Sequence, residues 1–64
     1  MFGNNIRNLR TERKISLAKF SEITGISKGY LCYIENGKAT NPSLNVLKEI
    51  ATNLNCSISD ILQD

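Results

Sequence analysis

The fold is decided by residues 16–37, which read SLAKFSEITGISKGYLCYIENG. Two short amphipathic helix patterns meet in this stretch at one glycine, Gly25, and each pattern begins with a serine. Serine is a favoured helix N-cap, because its hydroxyl accepts from a first-turn amide that has no partner within the helix. Glycine adopts the positive φ that often ends a helix. The stretch therefore predicts a helix-turn-helix over about residues 16–36, with its second helix over about residues 27–36.

Three further helices are predicted around this pair, and no pair of strands is indicated. The first is expected at about residues 5–14. The fourth starts at residues 41–43 (Asn-Pro-Ser), with the proline in its first turn, where a missing N–H is tolerated. Ser57 and Asp60 have the spacing of a capping box for a short fifth helix. The whole chain, residues 1–64, is thus expected to be one compact, all-α domain of five helices.

Apolar residues at three- and four-residue spacing predict the core. Ile26 is expected as the buried pivot between the two helices of the motif, with Tyr30 at the edge of the core. The other expected inner side chains are Ile6, Leu9, Leu17, Phe20, Leu31, Ile34, Leu44, Leu47, Ile50, Ala51 and Leu54.

The length and composition exclude several classes of protein. Sixty-four residues are too few for a catalytic cleft between two lobes. With no histidine, no glycine-rich phosphate loop and no nucleophile–base set, we expect no enzymatic activity, no metal and no cofactor. The two cysteines are far apart in sequence and fit free thiols in a reducing cytoplasm. The sequence indicates no signal peptide, no membrane span and no small-molecule ligand.

Charge is unevenly distributed along the chain. The formal net charge is +2, but residues 1–38 carry +4 and residues 39–64 carry −2. The basic part contains the helix-turn-helix, as expected for a surface that contacts nucleic acid. Ordinary solvated surface explains the same distribution equally well, so charge alone does not decide between the two interpretations.

The third helix has the features of a helix that enters the DNA major groove. Leu31 and Ile34 form its apolar inner face. Lys28 can donate to guanine O6 and N7 or to a phosphate. Gly29 lowers helix stability by on the order of 1 kcal/mol relative to alanine; either the backbone approaches a duplex closely there, or glycine is tolerated near a helix end. The outer face is expected to carry Ser27, Lys28, Gly29, Cys32, Tyr33 and Asn36.

Contacts around this face are expected from several residue types. Tyr33 projects outward and can contact a thymine methyl, a sugar or a phosphate. Cys32 is either an inert surface residue or a small apolar contact to a base. Phosphates are expected at Lys38 and at the N-termini of the second and third helices, where amides are free. Asn36 and Asn41 are either further backbone contacts or formers of turns.

Four motifs between Ile6 and Leu62 carry a family resemblance. They are Ile6-x-x-Leu9-Arg10, Ser16-x-x-x-Phe20-Ser21-x-x-Thr24-Gly25-Ile26-Ser27, Tyr30-Leu31-x-x-Ile34-Glu35-x-Gly37 and Asn41-Pro42-Ser43-x-x-x-Leu47. With them the chain resembles the Cro/CI-type helix-turn-helix repressors of phages and bacteria, also called the xenobiotic-response-element family. The Sin-type regulators of sporulating Gram-positive bacteria look especially similar, through Ser16-Leu17, Lys28-x-Tyr30-Leu31 and Thr40-Asn41-Pro42-Ser43.

The resemblance implies a lambda-repressor-like fold and a sequence-specific DNA-binding transcriptional regulator. Such a protein is a repressor that binds an inverted-repeat operator in double-stranded DNA as a homodimer. The resemblance also implies a buried ion pair between Arg10 and Glu35. The positions that it implies to face bases are Lys28, Gly29, Cys32 and Tyr33. Those that it implies to face the DNA backbone are Ser16, Leu17, Asn36, Lys38 and Thr40.

The chain departs from the family pattern at two positions. Leu17 stands where glutamine often bridges a phosphate and the recognition helix, so only the backbone amide of Leu17 remains for that contact. Ile23 stands where many members carry an exposed charged residue. It is either a harmless surface residue or a contact to a partner.

The alternative function is a helical protein-interaction module, or an antitoxin whose main partner is another protein. Apolar candidates for such a surface are Ile23, Ile58 and Ile61. A homodimer is expected to form through the last helix, by Ile58, Ile61 and Leu54. Because the outer face of the third helix is basic and carries Gly29, we favour DNA as the main partner.

Overall fold

The computed structural model describes residues 2–39 and 41–62, and all its regular structure is helical. The helices are α1 (Phe2–Glu12), α2 (Leu17–Thr24), α3 (Lys28–Glu35), α4 (Leu44–Asn53) and α5 (Ile58–Leu62). α1 packs against α3 and α5, α2 packs against α3 and α4, and α4 packs against α5. The expected all-α architecture of five helices is confirmed.

Serine caps fix where three of the helices begin. The hydroxyls of Ser16, Ser27 and Ser43 each accept from the amide three residues later, at 3.0, 3.1 and 3.2 Å. The caps predicted at Ser16 and Ser27 are confirmed. The start predicted for the fourth helix is wrong by two residues, because Ser43 is itself the cap. Pro42 therefore precedes the helix instead of occupying its first turn.

The first helix begins three residues earlier than predicted and ends two residues earlier. It ends because Lys14 adopts a left-handed conformation, with φ 57°. The amide of Lys14 then donates to the Thr11 carbonyl at 3.0 Å, and the amide of Ile15 donates to the Arg10 carbonyl at 3.1 Å. This pair of bonds is the usual way in which a helix C-terminus is closed, but glycine is the common residue at that position. A lysine there left no signal in the sequence.

Ten of the described side chains form the core, and most of the expected core residues are among them. Three predictions need correction. Tyr30, predicted at the edge of the core, is 36% exposed and is not among the side chains packed against it. Leu44 is 63% exposed, because it is the first residue of α4 and the core contacts of that helix are made by later residues, beginning with Val46 and Leu47. Ile26 is half-buried and packs against the core from its edge. The core residues are Ile6, Phe20, Leu31, Ile34, Ala39, Leu47, Ile50, Ala51, Leu54 and Ile61.

The fifth helix belongs to the core of the protomer. Ser57 and Asp60 form the predicted capping box, with reciprocal bonds of 3.0 and 3.1 Å. Ile61 is fully buried, so the prediction that it supplies an outer apolar surface is wrong. Leu54 is fully buried, as predicted for a core residue, and the prediction that it also contacts a second copy is wrong. The positions of both residues follow from the packing of α5 against α1 and α4, where the Asn5 side chain also donates to the Ile61 carbonyl at 2.8 Å.

Candidate nucleic-acid interface

The turn between α2 and α3 is held by short hydrogen bonds that set the direction of α3. Gly25 has φ 74°, as predicted, and its amide donates to the Ser21 carbonyl at 3.0 Å. The Ser21 hydroxyl donates to the Ile26 carbonyl at 2.6 Å. The hydroxyl of Thr24 donates to the Phe20 carbonyl at 2.7 Å and accepts from the Ile26 amide at 3.2 Å. These bonds tie the exit of α2 to the entry of α3, so the two helices are presented as one unit.

α3 has one face in the core and one face open to solvent. Leu31, Ile34 and Glu35 are buried. The opposite face is formed by residues that the sequence predicted to point outward, and every one of them is exposed: Ser27, Lys28, Gly29, Cys32, Tyr33 and Asn36. This outer face has one cation, Lys28, and no carboxylate, since the only acid in α3 is the buried Glu35. We call these six residues the outer face of α3.

No described side chain packs against the outer face at Gly29. A Cβ built on Gly29 meets no other atom within 4 Å, apart from its chain neighbours and the backbone of its own helix. No packing contact therefore requires glycine at this position. Tyr33, four residues later on the same face, is 48% exposed.

The N-termini of α2 and α3 are both open to solvent. Ser16 and Ser27, the caps of α2 and α3, are both exposed. The first amides of each helix carry a partial positive charge and can bind a phosphate oxygen. Leu17, the first residue of α2, is half-buried and packs against the core, which leaves its amide as the group for such a contact.

The segment after α3 contributes one further exposed cation. Lys38 is exposed, whereas Ala39 beside it is buried and fixes the segment to the core. The amide of Lys38 donates to the Tyr33 carbonyl at 3.1 Å. Thr40, another predicted backbone contact, lies outside the described residues.

The ion pair implied by the family resemblance is present and is nearly buried. Arg10 donates to both carboxylate oxygens of Glu35, from Nε at 2.8 Å and from Nη2 at 3.0 Å. A third bond joins Arg10 Nη1 to the Ile15 carbonyl at 2.7 Å. The side chain of Glu35 is 4% exposed and that of Arg10 is 12% exposed. Hydrogen bonding to Glu35 raises the pKa of the Arg10 guanidinium, against the opposing effect of burial.

Two further residues contact the C-terminal end of α3, and the sequence did not predict either contact. Arg7 places Nε 3.5 Å from Glu35 Oε1 and donates from Nη2 to Asn36 Oδ1 at 2.7 Å. Gly3 is buried, and a Cβ there would clash with the carbonyl oxygen of Ile34. The absence of a side chain at Gly3 lets the first turn of α1 lie directly on the C-terminal end of α3.

The described residues include two cysteines but no cluster of potential metal ligands. Cys32 and Cys56 are free thiols. Burial, with a smaller effect from Asp60, raises the pKa of the Cys56 thiol. No group of three potential metal ligands is found among the described residues. Within residues 2–39 and 41–62, no helix has the length and apolar character needed to cross a bilayer.

Comparison with known proteins agrees with this geometry. A family model described as the Cro/C1-type HTH DNA-binding domain matches residues 5–64. The regulator SinR of Bacillus subtilis is 34% identical over 64 residues, which are 100% of this chain and 58% of SinR. A crystal structure of SinR in complex with DNA superposes with a TM-score of 0.94 at 35% identity, covering 98% of this chain and 100% of that one. The restriction-modification controller protein C.AhdI from Aeromonas hydrophila gives 0.88 at 28% identity, covering 95% and 91%.

Proposed function

The chain belongs to the Cro/C1-type helix-turn-helix DNA-binding domain family, and from this we propose that it is the DNA-binding part of a transcriptional regulator. The regulator is a repressor that binds an inverted-repeat operator in double-stranded DNA as a homodimer. The chain spans 58% of the length of the SinR sequence that it matches. The role of the whole regulator is therefore part of the proposal.

The observation that carries the proposal is the outer face of α3. It is exposed along its whole length, has no negative charge and is rich in hydrogen-bonding groups. A helix of this kind fits the major groove, where base edges offer acceptors to Lys28 and an apolar methyl to Tyr33. The solved complex of the similar SinR domain with DNA supports the same use of the fold.

The contacts divide into two groups on the proposed complex. Four residues of the outer face lie against bases, whereas the other two and the groups around the face hold the DNA backbone and fix the register. The base-facing residues are Lys28, Gly29, Cys32 and Tyr33. The phosphate-facing residues are Ser16, the amide of Leu17, Ser27, Asn36, Lys38 and Thr40.

The homodimer is proposed to form through α5, with a corrected set of contacts. Ile61 and Leu54 are unavailable, because both are fully buried in the protomer. Leu62 is 51% exposed and Ile58 is half-buried on the same helix. A two-fold contact at these two residues would pair two copies, each with one outer face for one half-site.

The proposal places the protein in the cytoplasm and assigns it no reaction. Both cysteines are free thiols, which agrees with a reducing compartment. The best-supported activity of its exposed groups is reversible binding to DNA.

The test is selection of bound sequences from a random duplex library, followed by titration of binding against salt. We expect a two-fold symmetric site with half-sites about one helical turn apart. We also expect a steep fall of affinity with salt, because phosphate contacts release counterions. No enrichment and no binding at low salt would contradict the proposal and would favour a protein-binding module with Ile23, which is exposed, on its surface.

A matched pair of lysine variants sharpens the test. Lys28→Ala removes a charge from the outer face of α3, and Lys48→Ala removes one from an exposed position of α4. Lys28→Ala is expected to relax the preference at one operator position, with Lys48→Ala leaving the selected site unchanged. Uniform weakening by Lys28→Ala across all sequences would instead make Lys28 a phosphate contact.

A further inference from the structure

The side-chain amide of Asn36, at the C-terminal end of α3, is engaged at both its oxygen and its nitrogen. Asn36 Oδ1 accepts from Arg7 Nη2 at 2.7 Å. Asn36 Nδ2 donates to Cys32 Sγ at 3.4 Å. Asn36 is exposed, and these two contacts come from different helices. The carboxamide is therefore held in one orientation at the edge of the outer face.

The chemistry of arginine determines which way the carboxamide points. A guanidinium has donors and no acceptor, so it can pair only with Oδ1. Turning the amide over would set two donors against each other. Nδ2 consequently points along α3 toward Cys32, which lies four residues earlier on the same face. Thiol sulfur is a weak acceptor, and the second N–H of the amide has no partner among the described residues.

Arg7 is itself anchored, although its side chain is 46% exposed. Its Nε lies 3.5 Å from Glu35 Oε1, and Glu35 is fixed by the two bonds from Arg10. The buried carboxylate thus holds two arginines, one enclosed and one reaching out to Asn36. A guanidinium held in this way loses little further freedom when it orders a neighbour.

We infer that Arg7 is a positioning residue, which holds the side-chain amide of Asn36 so that Nδ2 donates to a backbone phosphate of the operator. The inference rests on the proposed function and deepens it. No residue of α1 belongs to the predicted interface, so this assigns a binding role to a helix outside the helix-turn-helix.

The same geometry disfavours a second use of Asn36. Asparagine reads adenine by donating to N7 and accepting from N6 at the same time. Arg7 takes one of the two lone pairs of Oδ1 and Nδ2 is turned toward Cys32, so the bidentate pair would compete with both contacts. A phosphate oxygen needs only a donor, and the amide supplies one. Asn36 therefore adds affinity and register without adding sequence preference.

The experiment is a double-mutant cycle on operator affinity, with Arg7→Met, Asn36→Ala and both together. Methionine keeps the aliphatic stem of Arg7 and removes its donors. Arg13→Met is the charge-matched control, because Arg13 bonds to Leu9 and Glu12 and forms no hydrogen bond or ion pair with a described residue of α3. We expect Asn36→Ala to weaken binding about tenfold in the wild-type background, as for loss of a bond to a charged group. In the Arg7→Met background its effect should fall to about twofold.

A second variant separates positioning from a merely structural role. Asn36→Asp retains an acceptor for Arg7 and pairs with it as an ion, so thermal unfolding should show an unchanged or more stable fold. Binding should nevertheless fall by at least the tenfold of Asn36→Ala, because a carboxylate cannot donate to phosphate. Binding by Asn36→Asp equal to wild type would overturn the inference.

The outcomes distinguish the inference from the function on which it rests. Equal effects of Asn36→Ala in both backgrounds would overturn the inference alone. So would a preference of the wild type for adenine at one operator position, if Asn36→Ala abolishes that preference. A third result would also overturn it: Arg7→Met lowers the slope of log affinity against log salt by about one, and the effects of the two substitutions on binding free energy add. Arg7 itself would then be the phosphate contact. Failure of the wild type and of Arg13→Met to bind any duplex would overturn the proposed function as well.

Discussion

The two ends of α3 are built in opposite ways. The C-terminal end is locked: Gly3 lies against it without a side chain, Arg10 holds Glu35 with two bonds, and Arg7 holds Asn36. The N-terminal end is capped by Ser27 and joined to α2 by the bonds of the turn, but its outer side is open, since a Cβ at Gly29 would meet no described atom within 4 Å outside its chain neighbours and its own helix backbone. A helix that binds in the major groove needs a rigidly held end and an exposed end, because the held end sets the angle at which the exposed end enters the groove. In this chain the C-terminal end of α3 supplies the anchor, and the outer side of its N-terminal half is left exposed.

The locked end should be the most sensitive part of the protein. Glu35→Ala leaves Arg10 nearly buried without its carboxylate, so we expect a loss of about 3–5 kcal/mol in the free energy of unfolding. Urea denaturation measures it. The control is the double variant Arg10→Met, Glu35→Leu, which replaces the ion pair with apolar contacts and should recover much of the loss. Equal stability of Glu35→Ala and wild type would show that the ion pair does not lock the helix.

A methyl group at Gly3 tests the close approach of α1 to α3. Gly3→Ala places a Cβ against the Ile34 carbonyl, so α1 must shift, and we expect a loss of about 1–3 kcal/mol. The chemical-denaturation midpoint reports the change. Wild-type stability would mean that α1 accommodates the methyl group, and the locked end would then owe its rigidity to the arginines alone.

The same substitution at the open end should have the opposite sign. Gly29→Ala meets no atom outside its own helix, and alanine favours a helix over glycine, so stability should rise by up to about 1 kcal/mol. Operator affinity should fall, because in the proposed complex the backbone of α3 approaches the duplex at Gly29. Unchanged affinity together with higher stability would assign Gly29 to tolerance near a helix end and leave the open end without that contact.

The cap of α5 supplies a reference that touches neither end of α3. Its bonds with Ser57 hold the pKa of the Asp60 carboxyl below its usual range. A lowered pKa in the folded state contributes stability above the unfolded pKa of about 3.9, and this contribution is lost as the pH falls through the folded value. The effect should be small, since Asp60 is exposed. Denaturation of wild type and Asp60→Asn between pH 6 and pH 2 checks it, and a loss of equal size in both would contradict the assignment to Asp60.

Local features of the fold were predictable, since each depends on residues within one helical turn of one another. The caps at Ser16 and Ser27, the positive φ at Gly25 and the capping box of α5 were read directly and are present. The exposed side of α3 followed from the spacing of Leu31 and Ile34. The positions along this face stay predictions as DNA contacts, because exposure alone does not show what a side chain binds.

Contacts between distant parts of the chain were not predictable from periodicity. The prediction of an outer surface at Ile61 failed because α5 packs against α1, and an apolar residue in a helix of five residues carries no sign of which neighbour covers it. The Arg10–Glu35 pair was reached through family resemblance. Arginine is common on exposed helix surfaces, so nothing in the sequence indicated that Arg7 contacts Asn36.

The sequence by itself determined that the chain forms five helices, where most of them start and which face of α3 is apolar, because capping and amphipathic spacing act over three or four residues. Only the tertiary structure decided that Arg7 reaches Asn36, 29 positions away, and that Asn5 reaches the Ile61 carbonyl, 56 positions away. Such contacts depend on the angles at which helices pack, and those angles arise from the shape of the whole core.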